Sequence, residues 1–189
     1  MIETLINIDQ QLFIIIHNDL ANSFFDGLMP IIRNANTWIP LYAGFIYFIF
    51  KKYKIHGLYI FAATLLIVAL TDQFSAGFMK PYFERLRPCH EPILAEYIRG
   101  LIDCGGQYGF ISSHATNHFG LAVISSWFFK ESYNLRYSSW LFYTWASLIS
   151  FAQVYVGKHY PGDIFIGALS GIFIGWFILS LLQKIMKKN

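Results

Sequence analysis

The stretch "VYVGKHYPGDIF", residues 154 to 165, holds a histidine and, four positions later, a carboxylate: His159 and Asp163. Pro161 suits the first turn of a helix, which predicts His159 just before that helix and Asp163 within its first turn. A carboxylate one turn from an imidazole can bind its Nδ1–H and leave Nε2 free to act as a nucleophile or base. The spacing therefore indicates nucleophilic or acid–base chemistry at this helix start.

Two histidines, His114 and His118, occur in "FISSHATNHFG". Ser112 or Ser113 is a natural N-cap, and the free N–H groups of the helix start that follows favour an anion. His114 stands in that first turn. His118, one turn deeper, is interpreted as a packing residue, because no third ligand at zinc-like spacing follows and a metal site is not expected.

Cations cluster in "KPYFERLRPCH", where Lys80, Arg85 and Arg87 lie within eight residues. Arginine can bind a phosphate through two parallel hydrogen bonds, so the cluster indicates a site for an anion. Asp72 precedes it by about two helical turns, and we interpret Asp72 as structural, bonded between helices or supporting Lys80. Cations, helix N-termini and two histidines together suit phosphoryl transfer.

The elements that must position these residues are helices built for a bilayer. The chain is 56% hydrophobic but only 13% charged, about half the charge of an average soluble domain. Residues 137–157 and 164–183 contain no Asp, Glu, Lys or Arg, and about 20 helical residues cover the hydrocarbon core. The fold class predicted is an all-α, polytopic transmembrane helix bundle forming one domain over residues 1–189.

Five spans are predicted, at residues 37–53, 57–79, 112–129, 137–157 and 161–183. Gly167, Gly171 and Gly175 recur at four-residue spacing in the last span, which predicts close packing against a neighbouring helix. Residues 1–36 have apolar runs too short to span, and they are interpreted as two short interfacial helices. A sixth, weakly hydrophobic span is the alternative for this segment.

Charge asymmetry predicts the orientation. One set of loops holds eight basic residues and one acidic residue, a net charge of +7, whereas the other set holds six basic and nine acidic residues, a net charge of −3. The positive-inside rule places the first set, including Lys184, Lys187 and Lys188, in the cytoplasm. The loops at 80–111 and 157–162 then face outward, and we expect a plasma membrane protein, such as a bacterial inner membrane protein, with a cytoplasmic C-terminus and its site facing the periplasm or exterior.

Two cysteines, Cys89 and Cys104, lie in the outward 80–111 loop, on a side of the membrane where disulfides persist. A bridge would close a loop of about 15 residues, worth roughly 3 kcal/mol in the entropic model. Free thiols are the alternative.

These blocks resemble the signature of the type 2 phosphatidic-acid phosphatase superfamily, which also includes vanadium haloperoxidases. That signature is Lys-x6-Arg-Pro, then Pro-Ser-Gly-His, then Ser-Arg-x5-His-x3-Asp. The first block is complete from Lys80 to Arg87-Pro88, and the second keeps Ser112 and His114 within "ISSH". The third reads Ala152-Gln153, five residues, then His159 and Asp163, and the likeness covers residues 80–163.

The resemblance implies a two-step mechanism without a metal or other cofactor. His159 would attack phosphorus and form a phosphohistidine, with Asp163 orienting it. His114 would protonate the leaving oxygen and then activate water. The resemblance assigns the phosphoryl oxygens to Lys80, Arg87, Ser112 and nearby backbone N–H groups, including that of Ser113.

Two positions depart from the signature. Gln153 replaces the family arginine, which removes one cation from the phosphate site, and Lys158 is the residue expected to restore the charge. Ser113 replaces glycine, a milder change because its backbone N–H can still donate if φ stays negative.

The function predicted is a lipid phosphatase acting at headgroup level on a polyprenyl pyrophosphate, a phospholipid phosphate or a lipid A phosphate. A lipid phosphotransferase using the same histidine, and a member that binds lipid phosphate without turning it over, are the alternatives. Nucleic-acid binding is not expected, because no basic, aromatic-interleaved stripe exists. The sequence leaves the oligomeric state open.

Overall fold

The structure, a computed structural model, describes residues 2–187. Its regular secondary structure over that range is helical apart from one isolated β-bridge between Leu86 and Tyr108, and loops and turns connect the helices. Lys188, counted above among the cytoplasmic charges, lies outside the described residues, as do Met1 and Asn189. The α-helices are α1 (Ile2–Ile14), α2 (Ser23–Ile32), α3 (Ile39–Tyr53), α4 (Gly57–Asp72), α5 (Lys80–Phe83), α6 (Ser113–Tyr133), α7 (Ser138–Tyr155) and α8 (Pro161–Met186).

Helical structure is continuous from residue 35 to residue 83. A 3₁₀ turn, Lys54–His56, joins α3 to α4, and a π-helical segment, Gln73–Met79, joins α4 to α5. Lys54 has a φ of 49°, which reverses the chain direction between the two helices predicted as the first two spans.

The all-α class is confirmed, whereas the number of spans is not. Within residues 2–187, two segments are long and apolar enough to cross a membrane, Ala35–Phe83 and Pro161–Met186. The helices α6 and α7, predicted as spans, fall short of that apolarity. Their polar side chains include several that are buried inside the bundle, among them Ser125, Ser126, Ser150 and Gln153, so these helices need less apolar surface than α8.

The outer surface of α8 is strongly apolar. Phe165, Phe173 and Trp176 each expose 60% or more of their area. A continuous exposed apolar surface of this kind marks contact with another apolar phase. The surface therefore fits a helix that faces lipid on one side and protein on the other.

Three glycines bring α8 against α6, as the four-residue spacing predicts. A Cβ on Gly167 would lie 3.0 Å from the Ser112 carbonyl oxygen, and one on Gly175 would lie 3.0 Å from the Gly120 carbonyl oxygen. A Cβ on Gly171 would overlap the Thr116 carbonyl oxygen. The backbones are thus in direct contact, and this contact holds the N-terminal ends of α6 and α8 together.

We expect Gly171→Ala to destabilise the protein by about 1–3 kcal/mol, since backbone atoms of α6 would have to move away from the new methyl group. Phosphate-ester turnover should fall in parallel, because α6 and α8 carry the candidate site. The matched control is Gly44→Ala in α3, where a Cβ meets nothing within 4 Å and alanine should be neutral or slightly stabilising. Thermal unfolding in detergent measures both variants, and equal melting temperatures for the two would contradict the contact.

The two N-terminal helices pack on the same end of the bundle as the candidate site. His17, directly after α1, is fully buried, with Nδ1 2.7 Å from the Tyr155 carbonyl oxygen. Met29 of α2 packs against Ala152 and Tyr155 of α7. The prediction of two short helices is confirmed, and their placement at a membrane interface stays a prediction.

Candidate active site

The N-terminal ends of α6 and α8 are joined by one backbone hydrogen bond. Ser112 N–H donates to the carbonyl oxygen of Asp163 at 3.1 Å. Ser112 is the N-cap of α6, and its hydroxyl accepts from the Ala115 N–H. This side chain is fully buried and does not line the cavity described next, so the neighbouring Ser113 presents the accessible hydroxyl.

A cavity of about 340 Å³ lies where these two helix ends meet α5 and the 80–111 loop. Both histidines singled out from the sequence, His114 and His159, line it. The rest of its wall consists of Arg33, Asp72, Ala76, Lys80, Arg87, Gly105, Gly106, Ser113, Gln153 and Lys158. Residues from four separate parts of the chain therefore converge on one space large enough for a phosphoryl group and part of its ester.

Asp163 holds His159 in place. Oδ2 of Asp163 lies 3.4 Å from Nδ1 of His159 and accepts from the Tyr160 N–H at 3.0 Å. The carboxylate is fully buried and the imidazole is 3% exposed. Burial lowers the pKa of His159 below its ordinary value, although the hydrogen bond to Asp163 opposes that shift. With Nδ1 facing Asp163, Nε2 is the nitrogen left for chemistry.

Arg85 does not belong to the phosphate site, and the anion that it binds is part of the protein. Its Nη1 donates to Asp163 Oδ1 and its Nη2 to Asp9 Oδ2, both at 2.7 Å. Asp9 also accepts from the Gly162 N–H at 2.7 Å. The interpretation of Arg85 as an anion-gripping residue for a ligand is therefore wrong. Its role is to anchor Asp163 to α1.

Arg87 lines the cavity and is held by backbone carbonyl oxygens of the 80–111 loop. Arg87 donates through Nε to the Tyr108 carbonyl oxygen at 3.2 Å and through Nη1 to the Cys104 carbonyl oxygen at 3.0 Å. Cys104 is bonded to Cys89, with Cα atoms 5.9 Å apart. These contacts fix the guanidinium of Arg87 in the wall of the cavity that the histidines also line.

Lys80 enters the cavity from the end of the α4–α5 run. Its Nζ donates to Ser113 Oγ at 3.0 Å, and Ser75 Oγ donates to the same hydroxyl at 2.9 Å. Lys80 forms no carboxylate ion pair within residues 2–187, so a phosphate dianion in the cavity would supply the counter-charge that its ammonium lacks.

Of the two histidines in "FISSHATNHFG", His114 lines the cavity and His118 packs inside the bundle. His118 is 5% exposed, with Nδ1 2.7 Å from the His114 carbonyl oxygen and Nε2 2.9 Å from Tyr42 Oη. It does not line the cavity, which agrees with its interpretation as a packing residue. Asp72 accepts from Asn117 Nδ2 at 3.4 Å and also forms part of the cavity wall, next to the lysine it was expected to support.

Gln153 and Lys158, the two residues linked to the signature's missing arginine, both line the cavity. Gln153 is 1% exposed, whereas Lys158 is half-buried at the rim. Burial lowers the pKa of Lys158 to about 8, and the adjacent Arg33 and Arg87 contribute to the shift. The Lys158 ammonium therefore lies near enough to Arg33 and Arg87 for their charges to lower its pKa.

Arg33 is the cavity residue that sequence reasoning missed. It follows α2, and its Nε donates to Gln153 Oε1 at 3.4 Å. The sequence signal that could have found Arg33 is a cation with no nearby acidic residue in a segment predicted to face outward. Of the cations in the segments predicted to face outward, within residues 2–187, Arg85 and Arg99 form carboxylate ion pairs, whereas Arg33, Lys80, Arg87 and Lys158 do not. Four cations without carboxylate ion pairs around one cavity indicate a site for a multiply charged anion.

Comparisons with known proteins agree with this geometry. The model of the PAP2 superfamily matches residues 41–187. A protein named lipid A 4'-phosphatase from Porphyromonas gingivalis is 33% identical over 178 residues, covering 93% of this chain and 73% of that protein. Another of the same name, from Bacteroides thetaiotaomicron, is 35% identical over 191 residues, covering 98% of this chain and 81% of that protein.

Two crystal structures share the fold. The transmembrane PAP2-type phosphatidylglycerolphosphate phosphatase of Bacillus subtilis aligns with a TM-score of 0.77 at 19% identity, covering 96% of this chain and 88% of that chain. Aquifex aeolicus LpxE aligns with a TM-score of 0.65 at 24% identity, covering 90% of this chain and 94% of that chain. The likeness extends over nearly all of both partners.

Proposed function

This chain belongs to the PAP2 superfamily and is a phosphatase acting on lipid phosphate, and we propose that its substrate is a phosphate monoester on a lipid A headgroup. The observation that carries the proposal is the single cavity in which His114, the Asp163-oriented His159 and four cations meet. The 33–35% identical relatives favour lipid A over the other lipids that the sequence allows.

The proposed reaction has two displacements at phosphorus. In the first, Nε2 of His159 attacks, the bond from phosphorus to the ester oxygen breaks, and His114 donates a proton to the leaving sugar oxygen. In the second, His114 takes a proton from water, the hydroxide attacks phosphorus, and the P–N bond breaks to release inorganic phosphate. Asp163 stabilises the positive charge that His159 carries in the intermediate.

The cations act on the charge that develops on the phosphoryl oxygens. Lys80 and Arg87 both line the cavity, and the Ser113 hydroxyl lies beside Lys80. Preorganised donors of this kind are worth more in a partly dry cavity than in water. Their positions are set before the substrate arrives, by the hydrogen bonds of Arg87 to the Tyr108 and Cys104 carbonyl oxygens.

The apolar helices and the relatives make this an integral membrane protein. We propose that it lies in a bacterial inner membrane with the cavity facing the periplasm. The opposite end of the bundle carries the basic cluster, where Lys51 and Lys52 end α3 and Lys130 lies in the last turn of α6. Tyr53 and Ser132 join these two ends by a 3.1 Å hydrogen bond. The substrate would enter from the bilayer with its phosphate at headgroup level.

The test is hydrolysis of defined lipids by the purified full-length protein in detergent. Lipid A bisphosphate, a phosphatidylglycerol phosphate and a polyprenyl pyrophosphate are compared at equal concentration, with released phosphate and lipid products quantified by mass spectrometry. Loss of one phosphate from lipid A, with equimolar inorganic phosphate, supports the proposal. Phosphate appearing on a second lipid would identify a transferase, and no product from any of the three lipids would contradict the proposal.

The pH dependence should show the charge of Lys158. Its pKa of about 8 means that the free enzyme loses this cation as pH rises through 8, so kcat/KM should fall on the alkaline side. Lys158→Arg keeps the charge at that pH and should remove this limb while retaining activity near pH 7. The measurement is kcat/KM from pH 6 to 10 for both proteins. An alkaline limb that stays at the same pH in Lys158→Arg would assign it to another group.

A further inference from the structure

We propose that Arg33, which lies outside the three signature blocks, binds the substrate phosphoryl group together with Gln153 and so replaces the arginine that the signature places at residue 153. The inference rests on the proposed function, because it names a residue of the same phosphate site. It assigns a direct role in phosphate binding to the N-terminal segment before residue 37, which the signature does not cover.

The buried amide of Gln153, in the wall of the ligand site, has a donor that is unpaired within residues 2–187. It is 1% exposed and lines the cavity, its Oε1 accepts from Arg33 Nε, and its Nε2 has no hydrogen-bond partner. A buried amide donor without a partner is costly. Because Arg33 engages the oxygen, the amide nitrogen is the end left to bind a ligand. A phosphoryl oxygen is the acceptor that this cavity would supply.

The guanidinium of Arg33 has most of its N–H donors available. Among residues 2–187 it bonds to the protein through Nε alone, which leaves the N–H groups of Nη1 and Nη2 available to a ligand. It lines the catalytic cavity and also an adjoining outer cavity of about 790 Å³. A planar guanidinium can bind two phosphoryl oxygens at once. Arg33 and Gln153 together therefore offer the donors, and the charge, that one arginine would supply.

The protein holds α2 firmly enough to make Arg33 a preorganised group. Asn22 caps the start of α2 through a 2.9 Å bond from the Phe25 N–H. Met29 of α2 packs against Ala152 and Tyr155 of α7. Beyond Arg33, Trp38 Nε1 donates to the Ile32 carbonyl oxygen at 2.8 Å. The segment on both sides of Arg33 is thus anchored, with α2 bound to the helix that carries Gln153.

Lys158 is less suited to this role. It lies at the rim, and within residues 2–187 only its backbone N–H bonds to Gln153, donating to the carbonyl oxygen at 3.0 Å. Its side chain makes no hydrogen bond to Gln153 there, and its ammonium is a point charge rather than a fork. Lys158 contributes charge to the cavity, whereas Arg33 contributes charge and geometry at the position of the missing arginine.

The experiment moves the guanidinium between the two positions. Arg33→Gln should lower kcat/KM on the lipid phosphate about 100-fold, the size expected for losing a preorganised donor to the transition state. It should also raise the inhibition constant of inorganic phosphate about 10-fold. Adding Gln153→Arg to Arg33→Gln puts a guanidinium at the signature position, and kcat/KM should return to within about 10-fold of the parent.

Two further variants serve as comparisons. Arg136→Gln removes the same charge from an exposed site at the opposite end and should match the parent in activity and phosphate inhibition. Lys158→Gln should lower kcat/KM less than Arg33→Gln does. Melting temperatures of all variants are measured alongside, because a purely structural Arg33 would lower stability without changing phosphate inhibition and would not be rescued by Gln153→Arg.

The outcomes separate this inference from the proposed function. If the parent turns over lipid phosphate and Arg33→Gln stays within twofold of it, or the loss appears only in Lys158→Gln, the inference is overturned while the function stands. If the parent releases no phosphate, binding of inorganic phosphate is measured by thermal shift: a protective effect lost in Arg33→Gln supports the inference alone. A parent that neither turns over nor binds phosphate overturns both.

Discussion

His159→Ala is expected to lower phosphate release at least about 1,000-fold, because the variant has no nitrogen to form the P–N bond. His159 is 3% exposed and its Nδ1 faces Asp163, so a water molecule in the space left by the imidazole would lack the same orientation toward phosphorus. The measurement is inorganic phosphate released from labelled lipid, in parallel with an alkaline quench that preserves phosphohistidine. Label should remain on the parent polypeptide during turnover and be missing from His159→Ala.

The control for this variant is His56→Ala, which removes an imidazole from an exposed turn at the opposite end and should leave turnover unchanged. His114→Ala adds a second comparison. With a substrate whose leaving group needs no proton, the first displacement still runs but water activation is lost, so labelled phosphoenzyme should accumulate. Turnover by His159→Ala at the rate of the parent would exclude the phosphohistidine mechanism.

Asp163→Asn is expected to lower kcat by a factor on the order of 100 to 10,000, with a smaller effect on KM. The carboxylate accepts from Arg85 Nη1 and the Tyr160 N–H, and it faces Nδ1 of His159. An asparagine offers one oxygen, so its NH₂ group must face at least one of these donors. The imidazole then loses its orientation and the stabilisation of its positive charge.

Asp26→Asn is the matched control for that change. Asp26 also accepts from an arginine, Arg99 at 2.6 Å, and from the Tyr155 hydroxyl at 2.7 Å, but it lies outside the cavity. We expect Asp26→Asn to lower the melting temperature while the kcat of the folded protein changes less than about threefold. Circular dichroism and kcat measured on the same samples distinguish the two variants. Equal losses of kcat in both would mean that Asp163 acts only through stability.

The ion pairs of Arg85 with Asp9 and Asp163 connect the first N-terminal helix to the site. Asp9 in α1 holds Arg85, and Arg85 holds Asp163, so the segment predicted only as an interfacial element is bonded to the candidate catalytic carboxylate. Asp9 also accepts the free Gly162 N–H in the first turn of α8. The N-terminal segment is therefore part of the site's support as well as the source of Arg33.

Local pattern was enough for much of this protein. Uncharged runs of about 20 residues predict helices, because a chain in hydrocarbon must satisfy its backbone hydrogen bonds within each segment. The four-residue spacing of Gly167, Gly171 and Gly175 predicted a packing face, and the structure places that face against α6. The i to i+4 spacing of His159 and Asp163 predicted their contact, because His159 directly precedes the N-cap of α8 and Asp163 lies in the first turn of that helix.

Tertiary structure decided the residues that act across long separations. Arg33 reaches Gln153, 120 positions away, and Asp9 reaches Gly162, 153 positions away. Helix packing also pairs Arg85 with Asp163 and Asp9. It buries the Ser112 side chain between α6 and α8. Nothing in the local sequence of these residues specifies a partner, because an arginine beside a cavity and one beside a carboxylate look alike along the chain. Partners are chosen only when helix packing sets which charges are brought together out of water.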